Sequence, residues 1–344
     1  MAYSSIVKPS VYYNTKLYTG TGSSLSVTGV GFQPDWVWIK ERNGATNHFL
    51  HDAVRGVTKA IFSNLDSAED TGAQYLTAFG TDGFTVGTNG GINTSSDTYA
   101  SWNWKANGAG SANTDGSTNS TVSVNTTAGF SIVKYAGADA VRTVGHGLGS
   151  VPKMIIVKRL GSTGRWQVYH SSLGATKYLR LDYTDAADTS SARWNDTEPT
   201  SSVFTLGTSA HVNESGDYVA YCFAEKKGYS KFGSYEGNGN ADGTFVYTGF
   251  KPAFVLSKDT TGAGENWFIH DNKRDAFNPT NTYIRPNLTN SEGTAHHYNF
   301  FSNGFKNTYA GGSLNSSGRT YIYMAFAEEP LVANVGQSIP ATAR

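Results

Sequence analysis

The side chains best equipped for chemistry are histidines beside carboxylates. His51-Asp52 and His270-Asp271 each pair an imidazole with a carboxylate, the arrangement by which a proton-accepting ring is oriented. His170-Ser171 occupies the same place in a third occurrence of the pattern, so the carboxylate is not a constant of it. The apolar residue two positions earlier is constant: Phe49, Val168 and Phe268. Such alternation ends a strand on the histidine and gives the ring a structural task, half-buried and bonded to a turn backbone.

Other chemistries find little footing. Only His296-His297 adds to the density of metal ligands, and no metal or cofactor is expected. Neither G-x-S-x-G, H-E-x-x-H nor a Walker sequence occurs. "GHGLGS" at Gly145 has phosphate-loop spacing but leads into a strand, where no helix N-terminus waits. The Asp-Gly turns in "NTDGST" and "NADGTF" match hairpin turns better than a twelve-residue calcium loop. Glu225 and Glu328, each after Phe-Ala, give way to Lys105 or Ala106 at the matching place, as solvated strand-edge charges would. No catalytic residue is assigned.

Carbohydrate recognition needs flat aromatic faces beside planar amides or carboxylates, held on loops by a rigid scaffold. "EGTAHHYNFFSNG" sets His296, His297, Tyr298 and Asn299 together, and "DTSSARWNDTEPTSS" supplies Trp194, Asn195 and Asp196. The corresponding stretch "DSAEDTGAQYLTAFG" offers Tyr75 alone. These seven residues, Trp194 to Asp196 and His296 to Asn299, are the candidate ligand contacts.

What must position them is written three times. "GFQPDWVWIKERNG" at Gly31 returns as "GSVPKMIIVKRLGSTG" at Gly149 and "GFKPAFVLSKDTTGAG" at Gly249, each with a lysine six residues after the proline: Lys40, Lys158 and Lys258. The apolar run reads as a strand buried on both faces, with Asn43-Gly44 suited to a turn of positive φ. Tyr18, Tyr135 and Tyr235 precede the prolines by 16, 17 and 17 residues; His51, His170 and His270 follow by 17, 18 and 18. Each copy then closes on an aromatic strand, "YASWNWKA", "YVAYCFAE" or "YIYMAFAE". So many landmarks in one order describe a unit of about 100 residues in three copies.

Composition gives its class. With 39 glycines, 13% aromatics and only 16% charged residues, the chain suits short strands and tight turns; the best helical candidate, Thr58 to Gln74, is short and made of poor formers. The expectation is all-β, three tandem β-sandwich repeats of jelly-roll or lectin-like type: an N-terminal arm 1–12, repeats at 13–106, 128–228 and 229–331, and a C-terminal tail 332–344. Residues 107–127 are a polar linker or a β-arm. Lys+Arg and Asp+Glu balance at 27 each, which gives no electrostatic case for nucleic acid. The start of the chain has no signal-peptide h-region and no run is long enough for a transmembrane helix, so membrane insertion is not expected. The one cysteine, Cys222, excludes an intrachain disulfide and reads as a buried small hydrophobe.

"KLYTGTGSSLSVTGVGFQPDWVWIKERN", "GHGLGSVPKMIIVKR", "YVAYCFAEKKGYSKFGSYEGNG" and "YIYMAFAEEPLVANVGQSIPATAR" resemble a repeated domain of tailed-bacteriophage virion proteins, especially marine ones, over residues 13 to 344. The resemblance implies the external surface of a virion, synthesis in the bacterial cytoplasm and other virion proteins as partners. It brings no catalytic residues, and the chain lacks the heptad or collagen-like shaft of a long fibre. A tail-fibre or receptor-binding module contacting host surface carbohydrate is the first reading; a capsid or neck decoration protein and a polysaccharide depolymerase are the alternatives. The aromatic total of 7 Trp, 20 Tyr and 18 Phe exceeds what three small cores need, and multivalent attachment favours oligomers. A homotrimer is therefore expected, with static light scattering at micromolar concentration as the check; a monomeric mass counts against it.

Overall fold

Alternation along the repeated strands explains the architecture of the computed structural model, which describes residues 4–331. In Trp36–Glu41 every residue is buried. Trp36 and Trp38 point to one side, into a large cluster with Trp102 and Trp104, while Val37 and Ile39 point to the other, into a separate cluster with Val27, Phe84 and Val86. Met154 and Ile156 against Ile155 and Val157 follow the same rule, as do Phe254 and Leu256 against Val255. A period of two with both faces apolar means a layer on each side.

The chain is all-β, 44% strand and 4% helix, and the α-helices among the described residues, Gly90–Asn93 and Ser191–Trp194, are one turn each. Thr58 to Gln74, the best helical candidate, instead contains strands Lys59–Phe62 and Asp70–Thr71, paired with each other. One strand order occurs in three successive stretches: Tyr13–Thr19, Thr98–Trp104, Trp36–Glu41, Phe49–Asp52; then Phe130–Gly137, Gly216–Phe223, Met154–Arg159, Gln167–His170; then Ser230–Glu236, Thr320–Pro330, Phe250–Asp259, Trp267–Asp271. Each of these sheets has a smaller sheet outside it, for instance Leu25–Thr28, Gly83–Val86 and Leu76–Gly80 in the first stretch. Residues 107–127 are not a free linker: Ser111–Asn113 and Ser120–Asn125 pair and extend the second principal sheet beyond Phe130–Gly137. In the third copy Pro252 lies inside its strand, at register shifts that spare the missing N–H. Each repeated phrase opens on a left-handed glycine, Gly31, Gly149 or Gly249 (φ 92, 65 and 80°), and Asn43 and Gly44 are not left-handed.

The large cluster joins all three stretches. Trp36 stacks on Tyr221 with ring centroids 4.4 Å apart, Tyr13 stacks on Phe326 at 5.1 Å, and Trp104 meets Phe254 edge-on at 5.7 Å. All seven tryptophans are buried, six of them in this cluster and Trp194 in the core of the second stretch, so most of the aromatics that looked surplus fill a fourth core that three separate cores would not need.

Equivalent bonds close this assembly into a ring. Glu69 N donates to Leu160 O (2.8 Å), Ala187 N to Thr260 O (2.9 Å) and Glu292 N to Arg42 O (2.9 Å), linking first to second, second to third and third to first stretch. The carbonyls of Phe62, Arg180 and Arg285, matched in position, accept from Trp166 Nε1 (2.9 Å), Trp267 Nε1 (2.8 Å) and His48 Nε2 (3.0 Å). Trp38 Nε1 donates to His48 Nδ1 at 2.9 Å, which leaves the proton on Nε2 and makes it the donor across the seam. Lys40, Lys158 and Lys258 are buried, and each Nζ caps the carbonyl of the next residue at 2.7 to 2.8 Å.

One shared core predicts shared cooperativity. Trp38→Ala and Ile156→Ala each remove a fully buried side chain from the axial cluster and are expected to cost about 2 to 5 kcal/mol. Calorimetry should show one transition shifted down as a whole; a split transition, with two thirds of the heat unmoved, would mean the stretches unfold independently.

Candidate ligand-binding surface

The repeated histidines are buried, and His170 reaches across a seam. His51 is buried, more than half-burial implied, and its Nδ1 lies 2.7 Å from Lys59 O. His170 Nε2 lies 3.2 Å from Tyr323 O, in the third stretch, while its Nδ1 accepts from Ser172 N at 3.1 Å. His270 is buried against the Tyr298 ring, centroids 4.6 Å apart. Burial lowers the imidazole pKa of both His51 and His170 to about 4. Burial likewise brings Lys40, Lys158 and Lys258 down to about 8. Cys222 is buried, and burial pushes its thiol well up.

The carboxylates beside the histidines have a common logic. Asp52 holds Arg55 and accepts from Tyr221 Oη (2.7 Å) of the second stretch; Asp271 holds Arg274 at 2.6 Å and accepts from Trp102 Nε1 (3.1 Å) of the first. Burial raises the Asp271 carboxyl, but Arg274 and the donors around it outweigh that and leave it below its usual value. In the second stretch aspartate, arginine and the neighbour's donor are replaced together, by His170, Leu173 and Met324: His170 stands opposite Met154 as Asp52 stands opposite Trp36 and Asp271 opposite Phe254, so it occupies the carboxylate's place and Tyr169 that of the other two histidines. A buried charge left without its partners is the costly state, so the set is kept or lost as one. These are structural ion pairs, not oriented bases.

The candidate ligand contacts separate by burial. Trp194 ends the helix Ser191–Trp194 and packs edge-on against Tyr169 at 6.1 Å, inside the second core. Tyr298 lies in the third core, its hydroxyl 3.0 Å from Tyr235 Oη and 3.1 Å from Ser257 Oγ. Neither ring can receive a sugar; both are corrected to core residues, because short aromatic segments in polar sequence here dive beneath the outer sheets. Asn195 and Asp196 are exposed on a turn in left-handed conformation, φ 52 and 48°. Asn299 is half-buried on Gly293–Phe301, opposite Lys306. His296 and His297 belong to the same strand, but their side chains lie outside the described residues. Tyr75 donates to Asp70 Oδ2 at 2.5 Å. The seven residues thus form no single constellation.

The loops with chemical spacing are spent on turns. His146 of "GHGLGS" is buried, its Nδ1 accepting from Leu148 N at 3.1 Å, and the Asp-Gly stretches are Asn-capped turns, with Asp115 N on Asn113 Oδ1 at 3.1 Å and Asp242 N on Asn240 Oδ1 at 2.9 Å. Among the described residues no three His, Cys, Asp or Glu side chains converge as a metal requires. A polar cleft of about 260 Å³ opens at the seam of first and second stretches, lined by Arg55, Lys59, Glu69, Lys134 and Asp217. What sequence reasoning missed are exposed aromatics in the third stretch, Phe245, Tyr247, Phe277 and Tyr309. The signal was the alternation in "TFVYTG", where "LSVTG" and "RTVGH" carry small residues at the matching outward places.

Residues 8–330 match the family described as "Domain of unknown function (DUF7483)". No curated protein matches the chain.

The neutral histidines set an acid limit. Their folded pKa of about 4 lies below the unfolded value of about 6.5, so between those values the unfolded chain binds more protons and stability falls as pH falls. The melting temperature should drop on acidification from pH 6.5 to 4, and less steeply in His51→Gln and His170→Gln. Parallel profiles for parent and variants would show that other groups set the limit.

Proposed function

The chain belongs to the DUF7483 family, and we propose that it is a surface module of a tailed-bacteriophage virion that binds host-surface carbohydrate, as a tail-fibre or receptor-binding component. It acts by binding and not by catalysis, and is built as three tandem β-sandwich units spanning 13–106, 128–228 and 229–331. The observation that carries this is the closed ring of equivalent seam bonds around one aromatic core. Such a ring is a rigid body whose outer sheets and loops all face away from the axis, the platform on which binding residues vary while the scaffold stays constant.

The resemblance of the long repeated phrases to tailed-phage virion domains supports the virion setting. The fate of the titratable residues supports binding over hydrolysis: His170, Asp52 and Asp271 are buried in bonds between stretches, and His51 and the three repeated lysines are buried on main-chain carbonyls of their own stretch. A homotrimer of chains remains part of the proposal on grounds of avidity, since the axial core already uses the tryptophans. A capsid or neck decoration protein is the second reading, favoured by the compact three-part body.

Gold labelling of phage particles with antibody to the chain should mark the tail, and the purified chain should adsorb to host cells and compete with the phage for them. Labelling confined to the capsid, with no adsorption, would replace the receptor-binding reading by decoration.

A further inference from the structure

The outermost sheet of the third stretch presents a face unlike its two counterparts. Its strands lie in the order Phe245–Tyr247, Gly304–Asn307, Gly293–Phe301, Thr280–Tyr283. Phe245 is paired with Lys306 and Lys306 with Asn299; Tyr247 is paired with Gly304 and Gly304 with Phe301. Paired residues share a face, and the alternates Val246, Phe305 and Phe300 are buried in the third core. Phe245, Lys306 and Asn299 therefore make one outward row, and Tyr247, Gly304 and Phe301 the next. Phe245 is 43% and Tyr247 54% exposed.

The rings are arranged. Phe245 meets Phe301 edge-on at 6.0 Å, across Gly304, where a Cβ would stand 3.0 Å from Phe245 Cζ and 2.1 Å from Val246 O. Glycine is what lets the rings approach there. Asn278 then ties the next loop to the same strand, donating from Nδ2 to Phe300 O (3.0 Å) and accepting on Oδ1 from Phe300 N (2.8 Å). Its neighbour Phe277 is 78% exposed. Lys306 is ion-paired with Asp242 at the rim.

The fold does not demand these aromatics. At the matching outward positions the first stretch has Ser26, Thr28 and Thr85, and the second has Thr143 and Thr205; Ser26 Oγ and Thr85 Oγ1 lie 3.3 Å apart. The same layer is thus stable with small hydroxyls, and a cluster of exposed rings in one copy marks a contact surface. From Tyr247 to Phe301 is two strand spacings, ~10 Å, longer than one pyranose ring, and a strip of that width is far smaller than the ~800 Å² a side that a stable protein interface buries. Rings for the apolar faces of sugars alternate with an amide, an ammonium and a carboxylate for their hydroxyls. Because Lys306 and Asp242 neutralise each other, the described side chains of this face carry no net charge for an ionic ligand.

We propose that this face, formed by Phe245, Tyr247, Phe301, Asn299 and Lys306 with Asp242, binds an extended uncharged polysaccharide. The site rests on the carbohydrate-binding reading above and supplies its location and ligand class.

Affinity electrophoresis in gels containing dextran, mannan, mixed-linkage β-glucan or neutral O-antigen polysaccharide, with host-cell adsorption in parallel, tests it. The parent should be retarded by at least one neutral polysaccharide, undiminished by added salt. Tyr247→Ala and Phe245→Ala should each weaken retardation by about tenfold with unchanged circular dichroism and melting temperature, while Ser26→Ala/Thr28→Ala should bind as the parent does. If both aromatic variants keep parental retardation and adsorption, this face is not the site although the carbohydrate reading stands. A parent that neither adsorbs to cells nor is retarded by any of these polysaccharides overturns both. Retardation abolished by salt, or gained only after removal of residues 332–344, overturns the assignment in favour of a charged ligand or of the chain's own C-terminal segment.

Discussion

Burying both faces of the same three sheets is the constraint from which the rest follows. A strand such as Trp36–Glu41 gives its odd and even side chains to different cores, so it is stable only if a layer covers each side. The outer sheet of each stretch provides one. The other can come only from the remaining two stretches, whose Tyr221, Phe223, Phe254 and Phe326 meet Trp36, Tyr13 and Trp104 across the axis. Three sheets packed this way must meet along three seams, and backbone groups at those seams lose water.

The buried polar residues answer that loss. An unpaired carbonyl within a seam costs about 1 to 3 kcal/mol, and the carbonyls of Phe62, Arg180 and Arg285 are met by two indoles and an imidazole from the next stretch. The donor changes type between copies while the acceptor stays a main-chain carbonyl, as expected when the requirement is for an N–H at a place and not for a particular side chain. The lysines follow the same principle at the strand ends. Their long stems cross apolar surface and their ammonium groups cap carbonyls, at a desolvation cost visible in a pKa of about 8.

Much of this was legible in the sequence. The proline-to-lysine phrase gave strands at Trp36–Glu41, Met154–Arg159 and Phe250–Asp259, and its lack of alternating polarity gave burial on both faces. The axial core was not legible, because Val37 and Trp36 look equally buried whether their cover is the unit's own second sheet or a sister unit. Hence the tryptophans looked surplus. Trp194 and Tyr298 were misread for a related reason. Each stands among Asn, Ser and Asp, which describes the neighbours' exposure and not its own. The coordinated replacement of Asp, Arg and donor by His170, Leu173 and Met324 was hidden, because His170 aligns by spacing with His51 and His270 and only the strand register shows it standing in the aspartate's place.

The same constraint indicates where novelty can accumulate. Axial positions are fixed by two other stretches and inner positions by the outer sheet, so a change at either disturbs packing around the ring. Positions on the far side of the outer sheet touch neither. Ser26, Thr143 and Phe245 stand at that place in the three copies, and they differ most in chemistry where packing constrains them least. Exposed aromatic area gains nothing for the core and raises the hazard of self-association. Phe245, Tyr247 and Phe301 in one stretch alone are therefore a departure that folding does not explain and the proposed carbohydrate face does. Three stretches of one strand order let one outer face specialise while the other two keep small hydroxyl-bearing side chains there.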